Sequence, residues 1–226
     1  MPFGLPSNFP TKPTTIAPTL LTYPRDLIAP GRNFYTHIDF KEYSAIQTFQ
    51  SVASPSQSDT SIILPIPKKI NEIQTVVWKQ ESLLSLGATA SSIMNVIGPT
   101  FGYAINPMLW MLFQSPEFKE HTLSWTVVAN NEQESNDIAK IIHEIKKHMS
   151  PALAFGGIAY SYPSVAHIKF HPNDDFTFKF KPAVVLSVNV DYGGAGMPSF
   201  FKNGAPTVVN ISMLLKEIGL WTKQDY

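Results

Sequence analysis

The chain is expected to be mostly β, an α+β protein built as an antiparallel sandwich or barrel with one helix laid on a face. Three observations predict this. Seven or so runs alternate apolar and polar residues with a period of two, the mark of a half-buried strand. One long run near the middle, 131–150, switches to helical spacing instead. After Gly31 there is neither an internal repeat nor a linker between two halves, so 32–226 reads as a single domain.

The segment 1–31 comes first and is expected to be an arm outside the core. Seven of the 19 prolines fall in its first thirty residues, and proline favours extended backbone that donates few hydrogen bonds. Up to Pro24 its one charged residue is Lys12, with no apolar run leading to a small-residue cleavage site, so a signal peptide is not expected. Phe34, Thr36, Ile38 and Phe40 then alternate with Tyr35, His37 and Asp39 in the first clear strand. The stretch 42–61, ending Ser-Pro-Ser-Gln-Ser-Asp, reads as a long loop, and long loops in compact domains are usually functional. Short strands follow over 62–66 and 73–78.

The next 35 residues, 82–116, carry no charge. Leu83, Leu86, Ala90, Ile93, Met94 and Ile97 fit a helical stripe that Gly98-Pro99 stops. Asn106-Pro107 resembles an N-cap and first helical position, so a second short helix is expected through Trp110 and Phe113. A membrane span is not expected. About 20 consecutive apolar residues would be needed, and Asn95, Gly98-Pro99, Gly102 and Asn106-Pro107 interrupt the run. A subunit would nevertheless struggle to hide all of this surface. Leu83, Leu86, Ile93, Ile97, Leu109, Trp110 and Phe113 are therefore expected to divide between the subunit's own core and a protein–protein contact, with Trp110 as the best anchor.

The run 122–151 is the clearest unit. Leu123, Trp125 and Val127 point one way and Thr122, Ser124 and Thr126 the other. Ile138, Ile141, Ile142 and Ile145 then recur at helical spacing. Asn131 and Glu134 approximate a capping box, acidic residues fill the first turns and basic ones the last, and Pro151 closes the helix. Ala166, Ile168 and Phe170 form a strand. With the turn Pro172-Asn173-Asp174-Asp175 and the stripe Phe176, Phe178, Phe180 it predicts a hairpin. Strands over 184–190 and 207–215 end the chain, separated by a turn-rich loop that holds Phe200 and Phe201.

No residue set points to catalysis. There are no cysteines, which excludes disulfides, cysteine-ligated zinc and thiol chemistry and suits a reducing compartment. Lys and Arg total 17, as do Asp and Glu, so strong binding to nucleic acid or anionic membrane is not expected. His167 and His171 lie about 13 Å apart along a strand, too far to share a metal. His143 and His148 fall on different sides of a helix. Asp174-Asp175 is a turn former rather than an acid–base pair. Gly193-Gly194-Ala195-Gly196 lacks the third glycine and the following helix of a phosphate loop. Neither a cofactor nor a metal is expected, and the protein is not expected to be an enzyme.

The order of elements resembles a known family: the tail-tube and baseplate-junction proteins of contractile-tailed bacteriophages, the T-even-like tube initiators above all. Leu-Thr-Tyr-Pro-Arg-Asp-Leu before the first strand and Ile-Leu-Pro-Ile-Pro carry the resemblance. So do Asn106-Pro107 ahead of a strand with the capped helix 131–151, and the ending from Val184 to Tyr226. The resemblance covers about 21–226. It implies a tail-tube-like sandwich assembled as a hexameric ring around a channel, located in the virion tail and baseplate after assembly in the host cytoplasm. Such a ring would initiate tube polymerisation. Its implied partners are copies of itself, the other junction and hub proteins, the tube protein and the tape-measure protein, with the sheath an open question. DNA would pass in transit only, and no membrane is involved. The loop holding Ser54 and Ser58 would bridge to the next ring. Open edges on 184–190 and 207–215 would join subunits side by side. Two other classes compete. One is a carbohydrate- or receptor-binding sandwich, for which Phe200-Phe201 is the candidate platform. The other is a hydrolase with carboxylates paired across a cleft.

Overall fold

A computed structural model describes residues 19–29, 34–43, 60–82, 109–154, 157–172, 177, 179–193 and 196–226. Its strands in chain order are β1 (Thr19–Thr22), β2 (Tyr35–Lys41), β3 (Thr60–Pro65), β4 (Lys69–Ile73), β5 (Val76–Ser82), β6 (Leu109–Pro116), β7 (Glu120–Val128), β8 (Leu153–Ala154), β9 (Ala159–Tyr160), β10 (Val165–His171), β11 (Ala183–Asp191) and β12 (Val208–Glu217). One α-helix, α1 (Glu132–Met149), lies between β7 and β8. The described chain is thus mostly β with a single long helix, the expected class.

Eight strands form one sheet in the order β1-β3-β2-β10-β11-β12-β7-β4. β1 and β3 run parallel and every other neighbour is antiparallel. Between β10 and β11 the ladder is a single pair, Ala166 with Ala183. The sheet is therefore two four-stranded halves joined at one point. It also cannot be flat. β3 and β4 lie six strand spacings apart in the order, about 29 Å on a flat sheet. Yet three residues, Ile66, Pro67 and Lys68, connect them, and a link that short reaches only about 14 Å. The sheet must curl until its ends are neighbours, and two hydrogen bonds mark the closure. Trp125 Nε1 on β7 donates to the Pro65 carbonyl at the end of β3, at 2.8 Å. The Tyr23 hydroxyl, just past β1, donates to the Val128 carbonyl of β7.

One core fills the curl. Alternation puts Thr36, Ile38 and Phe40 of β2, Leu123, Trp125 and Val127 of β7, and Val209, Ile211, Met213 and Leu215 of β12 on the inner face. Ile138, Ile141, Ile142 and Ile145 of α1 complete it. The helix begins as its sequence dictates. Asn131 Oδ1 accepts the Glu134 N–H at 2.9 Å, and Glu134 reaches back to the Asn130 N–H. Ser150 caps the other end, ahead of Pro151.

Three expectations are corrected, and a fourth falls partly outside the described residues. The segment 1–31 is not an arm throughout: β1 adds to the sheet edge, and Tyr23 and Leu27 are buried, because Tyr23 N–H bonds the Ile63 carbonyl and fixes this stretch against β3. Residues 109–116 form strand β6, not a helix; they find a partner in β5, which satisfies their backbone in a ladder. The predicted helical insertion over 82–116 accordingly begins and ends in strand, and the stripe over 83–97 lies outside the described residues. The hairpin expected after Pro172 falls partly outside the described residues, at Phe176 and Phe178; Phe180 is in no strand and packs edge to face on Phe170, while β10 pairs with β2 on one side and with β11 at Ala166 on the other. Finally, 207–215 is no edge, since β12 lies between β11 and β7.

Candidate assembly surfaces

The β5–β6 hairpin forms a sheet of its own. Val76 pairs with Pro116, and a bulge follows that sets Trp78 opposite Phe113. Their rings meet edge to face, with centroids 5.7 Å apart. Both stay more than half exposed, as does Met111, and Leu112 on the opposite face is exposed too. A two-stranded ribbon alone is marginally stable in water, and an apolar patch of this kind on a soluble body marks an interface. The ladder places Trp110 opposite Glu81 and Leu109 opposite Ser82. Trp78, Met111 and Leu112 join this surface without having been singled out in the sequence.

The base of the hairpin is locked to the body by the C-terminal residues. Thr75 accepts the Glu117 N–H across the base. Lys119, buried, pairs with Glu72 and lies 3.9 Å from the Trp221 ring centre. Burial alone would lower its pKa, but the bonds to Glu72 and Tyr226 outweigh this and hold the ammonium above its usual value. Tyr226 Oη donates to Gln74 at 2.6 Å. Lys181 bonds Asp225 at 2.8 Å, and with the Thr222 backbone it pulls the Asp225 carboxyl down to about 2. Beneath these contacts lies a fully buried pair, His121 and Glu217, 2.9 Å apart. The same carboxylate accepts the Lys181 N–H and the Trp221 indole N–H.

Strand edges give a second surface. β1 and β4 end the sheet order. Beyond Ala183, β11 pairs with β12 on one side and with no described strand on the other. The expected open edge over 184–190 is thus present, and that over 207–215 is not.

The outer face of the β7–β12 half is polar, with Lys69 across from Ser124 and Asp191 across from Asn210. Ser124 and Ser212 share a hydrogen bond of 3.0 Å, and Thr126 donates to Asn210 at 2.8 Å. On the β2–β10 half, Tyr35 stacks on His171 and His37 lies 3.2 Å from Asp39. The Ser61 hydroxyl bonds Asp39, not an imidazole, so the nucleophile–base contact of a catalytic triad is not made here. Among the described residues no group of three or more His, Asp or Glu could hold a metal ion, and no helix is long and apolar enough to cross a membrane.

The remaining sequence candidates separate. Ser54 and Ser58 lie outside the described residues, as do Asp174-Asp175 and Gly194-Ala195. Phe200 is exposed and bridges to Pro206, whereas Phe201 turns inward against the core. The two rings do not form one platform. No family model and no curated protein matches the chain.

Proposed function

We propose that this chain is a structural ring protein of a contractile tail, seated where the baseplate meets the tail tube. Copies join side by side, most simply as a hexamer, and the ring starts tube growth and encloses the channel. The observation that carries this reading is the apolar β5–β6 hairpin, held at its base by the C-terminal residues and exposed at Trp78, Met111, Leu112 and Phe113. Such a ribbon suits packing against, or pairing with, the same ribbon of a neighbour. The open flank of β11 offers a second place for strand addition. The resemblance of the capped helix and the C-terminal half to tube initiators supplies the setting: a virion tail assembled in the host cytoplasm, with hub, tube and tape-measure proteins as partners. The outer face around Ser124 and Ser212, polar and flanked by one charge of each sign at Lys69 and Asp191, suits a wall that DNA passes without being held.

Mass measurement and electron microscopy of the purified protein, alone and with tube protein, test it. A cyclic oligomer is expected. The double change Trp78→Ser with Phe113→Ser should weaken association by about 2 kcal/mol or more while the subunit still folds, as at other buried aromatic anchors. A subunit that stays monomeric in the assembled particle overturns the reading.

A further inference from the structure

Beside α1 is a groove that the hairpin and strand edges leave unused. Its floor is Ile138 and Ile142, one wall is Ala139, and the facing wall is Tyr192, Phe200 and Pro206, around a cavity of about 310 Å³. The facing wall is preformed. Phe201 N–H bonds the Ala205 carbonyl, Thr207 N–H bonds the Ser199 carbonyl, and Gly204 at φ +81 closes the turn. Ser135 Oγ donates to the Pro206 carbonyl at 2.6 Å and ties this turn to the helix. The groove is thus a standing apolar slot with two aromatic rings at its rim, Tyr192 and Phe200, both partly exposed.

An aromatic-rimmed slot of this kind suits a proline-rich ligand, because an extended proline helix is ordered before it binds and loses little entropy. The chain carries such a ligand. Residues 1–18 hold five prolines. At three residues per turn of that helix, Phe3, Pro6 and Phe9 fall on one face. Direction bears on whose groove receives it. Thr60, the register partner of Thr19, bonds His148 at the C-terminal end of α1. Arg25, beyond the other end of β1, bonds Asp137 and Gln133 in the first half of α1. β1 therefore runs opposite to α1, and Thr19, the first described residue, lies near the helix C-terminal end. The groove of the same subunit lies behind it, about 15 Å back along the helix. A fully extended proline helix of 18 residues would span about 56 Å, long enough to reach a neighbouring copy.

We propose that residues 1–18 of one copy dock through Phe3, Pro6 and Phe9 into the α1–Phe200 groove of a second copy. This rests on the ring reading, because it needs two copies in contact. The absence of native cysteine allows a direct test. Leu5→Cys in one tagged chain and Ala139→Cys in a differently tagged one are mixed, assembled and oxidised, with Lys169→Cys on the outer face of β10 replacing Ala139→Cys as control. Docking should raise the Leu5–Ala139 heterodimer at least about tenfold over the control, since a docked arm raises local concentration. Adding Phe3→Ser and Phe9→Ser should remove the excess. The mass of the same mixture is measured alongside. Rings with no excess cross-link sink the arm and leave the ring, and monomers sink both. With Leu5→Cys and Ala139→Cys placed together in one chain at high dilution, a disulfide within that chain at the same yield as in the assembly places the arm in its own groove and overturns the exchange.

Discussion

Closure of the curled sheet can be tested at Trp125. In Trp125→Phe the inner face keeps an aromatic ring but loses the N–H that reaches Pro65 at 2.8 Å. Trp125 is only 2% exposed, while the half-buried Pro65 carbonyl keeps a longer bond from the Thr36 hydroxyl at 3.4 Å, so losing the indole donor costs about 0.5–1.5 kcal/mol. The smaller ring removes further apolar contact, about 0.8 kcal/mol for each methylene equivalent lost. The sum is about 1.5–2.5 kcal/mol, or a fall in Tm of about 3–10 °C for a domain of this size. Urea unfolding and calorimetry would measure it. Tyr23→Phe removes the second seam bond, to Val128, at about 0.5–1.5 kcal/mol. If both bonds close one seam, opening it once makes the second loss cheaper, and the double variant should fall short of additivity by at least about 0.5 kcal/mol. Hydrogen exchange should rise at β1 and β4, the two ends that the seam brings together. Strict additivity, or a Trp125→Phe cost below about 1 kcal/mol, would refute the argument that these bonds hold the ends together.

Three further changes test other parts of the molecule. Glu217→Ala strands the buried His121 donor and the part-buried donors of Lys181 and Trp221 and should cost about 3–5 kcal/mol by urea unfolding; a loss under about 1 kcal/mol would show the cluster to be incidental. Asn131→Ala removes the acceptor for Glu134 N–H and should cost about 1 kcal/mol, with helical circular dichroism at low denaturant unchanged. Burial, then the Lys41 charge, holds the His167 imidazole below its usual pKa. The unfolded chain therefore binds the proton first, and His167 subtracts stability as pH falls below about 6.5. His167→Gln should gain on the wild type in urea midpoint between pH 7 and pH 5, whereas a constant difference would contradict this.

Period and parity made part of this fold legible. β2, β7 and α1 each alternate cleanly or keep helical spacing, since one side faces a core and the other does not. The hairpin was illegible for the opposite reason. Over 82–116 no charged residue marks an outer face, so Leu109, Trp110, Met111, Leu112 and Phe113 carry no contrast from which a period of two could be read. Without contrast, Asn106-Pro107 was the strongest local signal, and it pointed to a helix. Pairing partners were hidden for another reason. Alternation tells which way a side chain points and nothing about the strand beside it, so β11 and β12 look equally open, although among the described strands β12 is paired on both sides and β11, beyond Ala183, on one.

The buried ionisable pair was legible in principle. His121 continues the inward parity of Leu123, Trp125 and Val127, and Glu217 that of Leu215, Met213 and Ile211. An apolar stripe that ends in an ionisable residue must either leave the core there or meet a partner, since an unpaired buried charge is expensive. Two such stripes in one chain imply that they meet, and so that β7 and β12 are neighbours, 96 residues apart. The same pair lies beneath Lys119, Lys181 and Trp221, the side chains that hold the C-terminal residues against the hairpin base. The hairpin's orientation is therefore tied to the core of the sheet through an unbroken set of paired charges and stacked rings. A ribbon presented to other copies needs that rigidity: each degree of freedom left in it would have to be removed when subunits join, at a cost in association free energy.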